Sequence, residues 1–165
     1  MKIIAISMVK NEMDIIESFV RHTLSFADEL LICDHQSTDA TRDILEKLRA
    51  EGLPLDIRTE YRAAHVQAGV MSNFPREAAE ERGADLIVPL DADEFLLPKT
   101  PGDVRASLEA LSPEGVYSVN WQFYVPVGGT EAEFLLSRPL RRVPGKDECF
   151  KCIVGGAAAR RERLC

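Results

Sequence analysis

The stretch LIVPLDADEFLLP, residues 86–98, places three carboxylates within four positions at the end of an apolar run. Residues 84–90 have the composition of a buried strand, and Asp91, Asp93 and Glu94 follow directly. Ionised carboxylates this close together repel one another, and burying them costs free energy unless a cation or hydrogen bonds compensate the charge. The stretch therefore predicts a strand that leads into a cation-binding turn.

Upstream of this stretch, apolar strands alternate with amphipathic helices, and Asn11 is suited to cap the first helix. Such alternation is typical of βαβ units and predicts an α/β fold with a mostly parallel, doubly wound sheet and helices on both faces. The predicted strands cover residues 2–9, 29–34, 54–60 and 84–91, and the predicted helices cover residues 11–26, 37–52 and 73–83.

Downstream of residue 98 the pattern is less regular. It predicts a short helix around Val104 and Leu108, then strands over residues 115–126, near 138–143 and over 149–154. No internal repeat and no second domain is evident, so we expect one domain over residues 1–165.

Composition narrows the class of protein. A formal charge of −7 disfavours a nonspecific grip on nucleic acid and favours a small-molecule partner. No apolar run reaches the roughly 18 residues of a membrane helix, and the N-terminal run is typical of a strand, so the sequence predicts a cytoplasmic protein without a transmembrane segment. Four cysteines are too few for a disulfide framework, although Cys149-x-x-Cys152 leaves open half of a zinc site or a redox pair.

The polar clusters sit where the predicted strands end, at residues 10–12, 34–39 and 91–94. In parallel sheets ligands bind beyond the carboxyl ends of the strands, so we expect these clusters to converge on one rim. Asp91 and Asp93 would suit a hard divalent cation, Mn²⁺ or Mg²⁺, which takes carboxylate oxygens and leaves positions for water and phosphates. Taken alone, the pair is weak evidence, because an acidic protein often carries such a pair by chance in a solvated turn.

Three ordered motifs resemble the family 2 glycosyltransferases: Lys-Asn-Glu at 10–12, Asp-x-x-Ser-x-Asp at 34–39, and Asp-Ala-Asp-Glu-Phe at 91–95. The resemblance implies the nucleotide-diphospho-sugar transferase fold of GT-A type, a Rossmann-like sheet, with residues 1–98 as the donor-binding half and 99–165 as a partial acceptor-side half. It also implies metal-dependent, inverting transfer of a hexosyl-like sugar from a nucleotide-diphospho-sugar to a hydroxyl of a glycan, lipid or other acceptor.

Carried over residue by residue, the resemblance places Asn11 and Glu12 near the nucleoside and Asp34 at the base or ribose. Asp91 and Asp93 would hold ribose, diphosphate and metal, with Asp93 as the more direct metal ligand. The remaining motif residues have structural alternatives. Ser37 and Asp39 would order their loop and cap the next helix, and Glu94 would brace the turn or the sugar.

Transfer also needs a base that takes the proton from the acceptor hydroxyl. Glu133, or its neighbour Glu131, is our candidate catalytic base, and the alternative is a solvated loop charge. Arg62 could reach the diphosphate, because a guanidinium fork suits phosphate oxygens. Trp121 could stack on an acceptor sugar or belong to the core.

Two features depart from the family pattern. His35 stands where family members commonly carry a second acid, and no histidine follows His65, so the chain looks shortened at its C-terminus. A truncated or inactive nucleotide-binding module is therefore the alternative function. A nucleotidyltransferase is a further alternative, but the first strand is not followed by a glycine-rich phosphate loop with a lysine.

Overall fold

The computed structural model describes residues 1–60, 74–98, 103–128, 139–143 and 150–161. The strands are β1 (Ile3–Val9), β2 (Glu29–Asp34), β3 (Leu55–Thr59), β4 (Leu86–Pro89), β5 (Val116–Asn120), β6 (Tyr124–Pro126), β7 (Leu140–Arg142) and β8 (Phe150–Gly155). The helices are α1 (Ile16–Thr23), α2 (Thr41–Ala50), α3 (with residues 74–80), α4 (Val104–Glu109) and α5 (Gly156–Arg161).

The main sheet of the described chain has the strand order β3-β2-β1-β4-β8-β5. Strands β3, β2, β1 and β4 pair in parallel, whereas β8 runs antiparallel to both of its neighbours, β4 and β5. The predicted α/β class with a mostly parallel sheet is confirmed. The sequence pattern did not indicate that the last strand would be inserted between β4 and β5.

The strand order reverses direction between β1 and β4. From β1 the chain moves outward through α1 to β2 and through α2 to β3, and it then returns to β4 on the other side of β1. Loops that leave neighbouring strands on opposite sides of such a switch point open a crevice beyond the strand ends. This crevice is where the fold itself places a ligand.

Helices cover both faces of the sheet, as predicted. One face packs against α1, α2 and α4 through side chains that include Phe19, Leu45 and Leu108. The opposite face packs against α3 and α5 through side chains that include Phe74 and Ala159. Burial of these apolar side chains is the main favourable contribution to folding, and it makes the central strands a rigid platform for the loops at their ends.

The predicted strand over residues 115–126 was wrong in its extent. β5 stops at Asn120, and residues 124–126 pair instead with β7 in a separate two-stranded sheet. The reason lies in the pairing, because Asn120 is opposite Phe150, the first residue of β8, and β5 has no other neighbour among the described strands of the main sheet. Residues beyond Asn120 therefore leave the sheet.

The start of α1 also differs from the prediction. The helix begins at Ile16, and Asn11 does not cap it. Asn11 instead adopts a left-handed backbone conformation with φ of 57°, in the loop that follows β1. Asparagine is one of the few residues other than glycine that tolerates this conformation. In the described parts of the chain, no helix is long and apolar enough to cross a membrane.

Candidate active site

A cleft of about 260 Å³ opens at the carboxyl ends of the parallel strands, between the loops that leave β1 and β4. Its polar lining comes from Lys10, Glu12, His35, Asp91 and Asp93. The three polar clusters therefore converge at one rim, as predicted. This position is the switch point of the sheet.

A larger cavity of about 440 Å³ lies at the opposite edge of the sheet, where the strands begin. Its charged groups neutralise one another: Arg82 pairs with Glu29 and Asp56, and Lys2 pairs with Glu29. We therefore assign the candidate site to the smaller cleft, whose acidic groups are only partly compensated.

Residues 91–94 form a tight turn in the segment after β4. The Glu94 backbone N–H donates to the Asp91 carbonyl over 3.0 Å, and the Asp91 N–H donates to Glu94 Oε2 over 2.8 Å. Glu94 therefore braces the turn, which is one of its two predicted roles. Ala92 is buried and Asp93 is exposed, so the turn directs Asp93 towards solvent and the cleft.

The cation of the acidic turn is a lysine that we did not predict. Lys151 Nζ lies 2.7 Å from Asp91 Oδ2 and 2.5 Å from Glu94 Oε2. It also lies 5.8 Å from the centre of the Trp121 ring, within the range of a cation–π contact. The positive charge that the sequence 91–94 demands is thus supplied, for two of its three carboxylates, by the chain itself.

Strand register explains how Lys151 reaches the turn. Val154 of β8 pairs with Ile87 of β4. In antiparallel strands, three steps back along β8 match three steps forward along β4. This direction carries Lys151 past the last paired residues towards the carboxyl end of β4, where it meets Asp91.

Within the described ranges of the chain, Glu12 and Asp93, unlike Asp91 and Glu94, face each other without a compensating cation. Partial burial raises the pKa of Glu12, and the nearby carboxylates raise it further, Asp93 most and Asp14, Asp39 and Asp91 after it. Among the residues that the structure describes, no cation or hydrogen-bond donor contacts the Asp93 carboxylate. The cleft therefore holds negative charge that a bound cation would relieve.

Hydrogen bonds fasten the loop after β1 to the loop after β2. The Asn11 backbone N–H donates to Ser37 Oγ over 3.0 Å, and the Thr38 N–H donates to Asn11 Oδ1 over 2.7 Å. Asp34 is only 4% exposed and accepts a hydrogen bond of 3.0 Å from the Ser37 N–H. Asn11 and Asp34 thus shape the wall of the cleft.

The next residues continue this connection. The Glu12 N–H donates to Thr41 Oγ1 over 2.7 Å, and the Met13 N–H donates to Asp39 Oδ2 over 3.2 Å. Asp39 Oδ1 accepts from the Thr41 N–H at the start of α2 over 2.9 Å. The predicted loop-ordering role of Ser37 and Asp39 is confirmed, and these bonds fix the backbone from which Glu12 projects. Their predicted capping of α2 was wrong, because Ala40 occupies the cap position and no side chain caps the helix.

The segment after the acidic turn is anchored to α1. His22 Nε2 donates a hydrogen bond of 3.0 Å to the Leu96 carbonyl, and the His22 ring lies 5.2 Å from the ring of Phe95. Phe95 packs against the core. The turn is thus held from the helix side by His22 and from the sheet side by Lys151.

The cleft provides only part of a metal coordination shell. In the described part of the chain, no group of three or more His, Cys, Asp and Glu side chains is placed to hold a metal ion. Mg²⁺ and Mn²⁺, however, are commonly bound by one or two carboxylates, with phosphates and water completing the shell. Glu12 and Asp93 fit such a site, and Asp91 would need to leave Lys151 to join them.

The structure brings together Asn11, Glu12, Asp34, Asp91 and Asp93 at one rim. Two other predicted site residues, Arg62 and Glu133, lie outside the described residues, as does Glu131. Trp121 is half-buried beside Lys151 and belongs to neither core cluster of the described residues, and both of its predicted roles stay predictions. Cys149 also lies outside the described residues, so the Cys149-x-x-Cys152 alternatives remain open.

Comparison with solved structures supports the fold assignment. The chain resembles the mannosyltransferase PcManGT from Pyrobaculum calidifontis, solved with GDP-Man and Mn²⁺, with a TM-score of 0.52 and 21% identity. The match covers 70% of this chain and 34% of that one, so this chain spans about a third of the mannosyltransferase's length.

A second likeness has the same TM-score. A putative glucose-1-phosphate thymidylyltransferase from Bacillus anthracis, solved with a sucrose, matches with a TM-score of 0.52 and 9% identity over 96% of this chain and 73% of its own. Both likenesses show the fold alone, and this fold is shared by transferases of different chemistry.

No curated protein matches the sequence. The fold alone does not distinguish a glycosyltransferase from a nucleotidyltransferase, but a match to a sequence family does. The family model described as Glycosyl transferase family 2 matches residues 5–164, almost the whole chain. The chain belongs to glycosyl transferase family 2.

Proposed function

We propose that this chain is a metal-dependent glycosyltransferase that binds a nucleotide-diphospho-sugar in the cleft at the switch point and transfers the sugar, with inversion, to an acceptor hydroxyl. One observation carries the proposal. This chain belongs to family 2, and its Glu12 and Asp93 line the same cleft, where their mutual repulsion contributes to the raised pKa of Glu12. A divalent cation with an anionic diphosphate would complete this arrangement.

The proposed metal ligands are Asp93 and Glu12, with Mn²⁺ or Mg²⁺ as the ion. When bound there, the ion would offset the negative charge that grows on the departing diphosphate. The mannosyltransferase of similar fold was solved with GDP-Man and Mn²⁺, which supports a donor and metal of this class.

The geometry of the cleft walls supports roles for Asn11 and Asp34. The hydrogen bonds of Asn11 hold the two loops together, so we propose that Asn11 shapes the nucleoside side of the site. Because Asp34 is nearly buried, we propose that it acts on the base or ribose through the loop that it orders. Arg62 remains the proposed partner of the diphosphate.

Acceptor activation is assigned to the second half of the chain. We propose residues 1–98 as the donor-binding half and residues 99–165 as the partial acceptor-side half, with Glu133 as the base that accepts the hydroxyl proton. Trp121 lies against Lys151, which contacts Asp91 and Glu94 of the first half, and its ring could stack there on an acceptor sugar.

A nucleotide-binding module without turnover is the second candidate. It requires only the cleft that Glu12 and Asp93 line, whereas transfer also requires the proposed base Glu133, which lies outside the described residues. Such a module would keep metal-dependent nucleotide affinity and release no nucleotide from a donor sugar, even with acceptor mixtures present.

The proposal is tested by calorimetric titration with UDP, GDP and dTDP, each with Mn²⁺ and with a chelator. We expect metal-dependent binding of one nucleotide, lost at least about tenfold in Asp93→Asn. The matched control is Asp43→Asn, which removes an exposed aspartate on α2, away from the cleft. If the folded protein bound none of the three, or bound equally in Asp93→Asn, the proposal would be wrong.

A further inference from the structure

Lys151 divides the acidic groups of the cleft into two sets. Its ammonium contacts Asp91 Oδ2 at 2.7 Å and Glu94 Oε2 at 2.5 Å. Asp93, between them in sequence, is contacted by no cation in the described part of the chain. One lysine therefore serves two of the three carboxylates in the turn and leaves the third open to the cleft.

The lysine contact is built into the fold. Glu94 is 18% exposed and Lys151 is 23% exposed, whereas Asp91 is 41% exposed. Glu94 Oε2 accepts both from Lys151 and from the Asp91 backbone N–H, so the ion pair and the turn share one oxygen atom. Moving Lys151 would leave two carboxylates close together without a cation, which is costly in a half-buried site.

The surroundings of Lys151 fix its position from two further directions. The backbone of Lys151 pairs with Val119 of β5, in the interior of the β5–β8 ladder. The face of Trp121 lies 5.8 Å from Nζ, and Phe123 packs edge-on against Trp121 with ring centres 5.9 Å apart. The aromatic face of Trp121 and the pairing of β8 therefore both hold the Lys151 ammonium in this position.

We propose that Lys151 is a positioning residue that acts as a built-in cation for Asp91 and Glu94, so that a divalent ion entering this cleft is held through Asp93 and not through Asp91. The inference rests on the proposed function for the metal, and it adds a residue and a division of roles. Asp91 then stabilises the turn through Lys151, and the ion binds the exposed carboxylate of Asp93.

The first test measures Mn²⁺ alone, by the loss of the free-ion signal in electron paramagnetic resonance. Lys151→Met removes the charge and keeps the length of the side chain, whereas Lys151→Arg keeps the charge. We expect Lys151→Met to bind Mn²⁺ at least about fivefold more tightly than the native protein, because two uncompensated carboxylates join the site. Lys151→Arg should behave like the native protein.

The second test separates the two aspartates in the native background. Asp93→Asn should abolish Mn²⁺ binding, and Asp91→Asn should change it by less than about twofold, because Asp91 is already committed to Lys151. In the Lys151→Met background, Asp91→Asn should reverse the gain in affinity. The two variants in the native background also decide the matter if Lys151→Met does not fold.

Two results would overturn the inference: an unchanged or weaker Mn²⁺ affinity in folded Lys151→Met, or a native site that loses Mn²⁺ in Asp91→Asn as fully as in Asp93→Asn. Failure of the proposed function is distinguishable. If the native protein binds no Mn²⁺ but Lys151→Met does, the built-in cation is supported and metal-dependent transfer is not.

Discussion

Glu12 and Asp93 come from loops after two neighbouring strands, β1 and β4, and their carboxylates repel each other across one cleft. After the partial burial of Glu12, the charge on Asp93 is the largest cause of the raised Glu12 pKa. The folded protein thus carries an electrostatic cost at the place where a ligand would bind. Binding sites often keep such a cost because the ligand removes it.

The raised pKa of Glu12 predicts a pH-dependent effect of Glu12→Gln. The folded state binds this proton more tightly than the unfolded chain does, so ionisation of Glu12 lowers stability as the pH rises from near the unfolded value of 4.5 through the raised folded pKa. At pH 7 Glu12→Gln should raise the melting temperature by roughly 1–2 °C, and below about pH 4 the difference should vanish.

Thermal melts from pH 3.5 to 8 in a chelator would measure this effect. Glu81→Gln, an exposed glutamate remote from the cleft, controls for the loss of one negative charge. A lower melting temperature for Glu12→Gln at pH 7 would show that the Glu12 charge stabilises the fold.

Asn11 offers a test of the connection between the loops. Asn11→Gly keeps the left-handed backbone at low cost but removes the hydrogen bond to Thr38, whereas Asn11→Ala adds backbone strain to the same loss. We expect Asn11→Gly to cost about 1 kcal/mol and Asn11→Ala about 2 kcal/mol. Urea unfolding would measure both, and equal losses would contradict a role for the backbone conformation.

His22 should control the order of the segment that follows the acidic turn. His22→Ala removes the hydrogen bond to the Leu96 carbonyl and the ring contact with Phe95, for a loss of about 1–2 kcal/mol. Hydrogen exchange of residues 94–98 should accelerate by more than that of α2.

The neighbouring Arg21→Ala is the matched control for His22→Ala, since Arg21 lies on the exposed side of the same helix and pairs there with Glu17 and Glu51. Its cost should stay below about 1 kcal/mol. Faster exchange of residues 94–98 in Arg21→Ala would mean that helix fraying, and not the His22 bond, sets the order of this segment.

Gly156 should tolerate no side chain. A Cβ atom there would overlap the carbonyl oxygen of Ala84, which belongs to the backbone and has no room to move, so Gly156→Ala should cost at least about 3 kcal/mol or prevent folding. Gly52→Ala is the comparison, because a Cβ at Gly52 meets nothing within 4 Å and only the positive φ of 91° is strained. Its cost should be about 1–2 kcal/mol in a urea titration. Similar losses in both variants would contradict the steric account.

The first half of the fold could be predicted from the sequence because its signals are local. The apolar run at residues 2–9 and the helical spacing around Phe19 and Leu45 each reflect the element in which they lie. Convergence of Glu12 with Asp93 followed from a general property of parallel sheets. These predictions needed no knowledge of which strands are neighbours.

The role of Lys151 could not be predicted in this way, because it depends on a pairing between residues far apart in sequence. A strand of six residues carries no signal for its direction or its neighbour, and Lys151 meets Asp91 only because β8 runs antiparallel beside β4. Two clues were available in the sequence: the carboxylates at residues 91–94 had no evident cation, and the predicted strand at 149–154 carried a lysine among apolar residues. The need to compensate these carboxylates would have suggested that Lys151 lies beside them.

The insertion of β8 between β4 and β5 has a consequence for biosynthesis. While the ribosome is still translating the middle of the chain, one edge of β4 has no partner, and the carboxylates after it have no lysine. Both defects are corrected in one event, when the segment around Lys151 emerges and docks. Since a bare strand edge invites association with other chains, the nascent protein should depend most on chaperones during this interval.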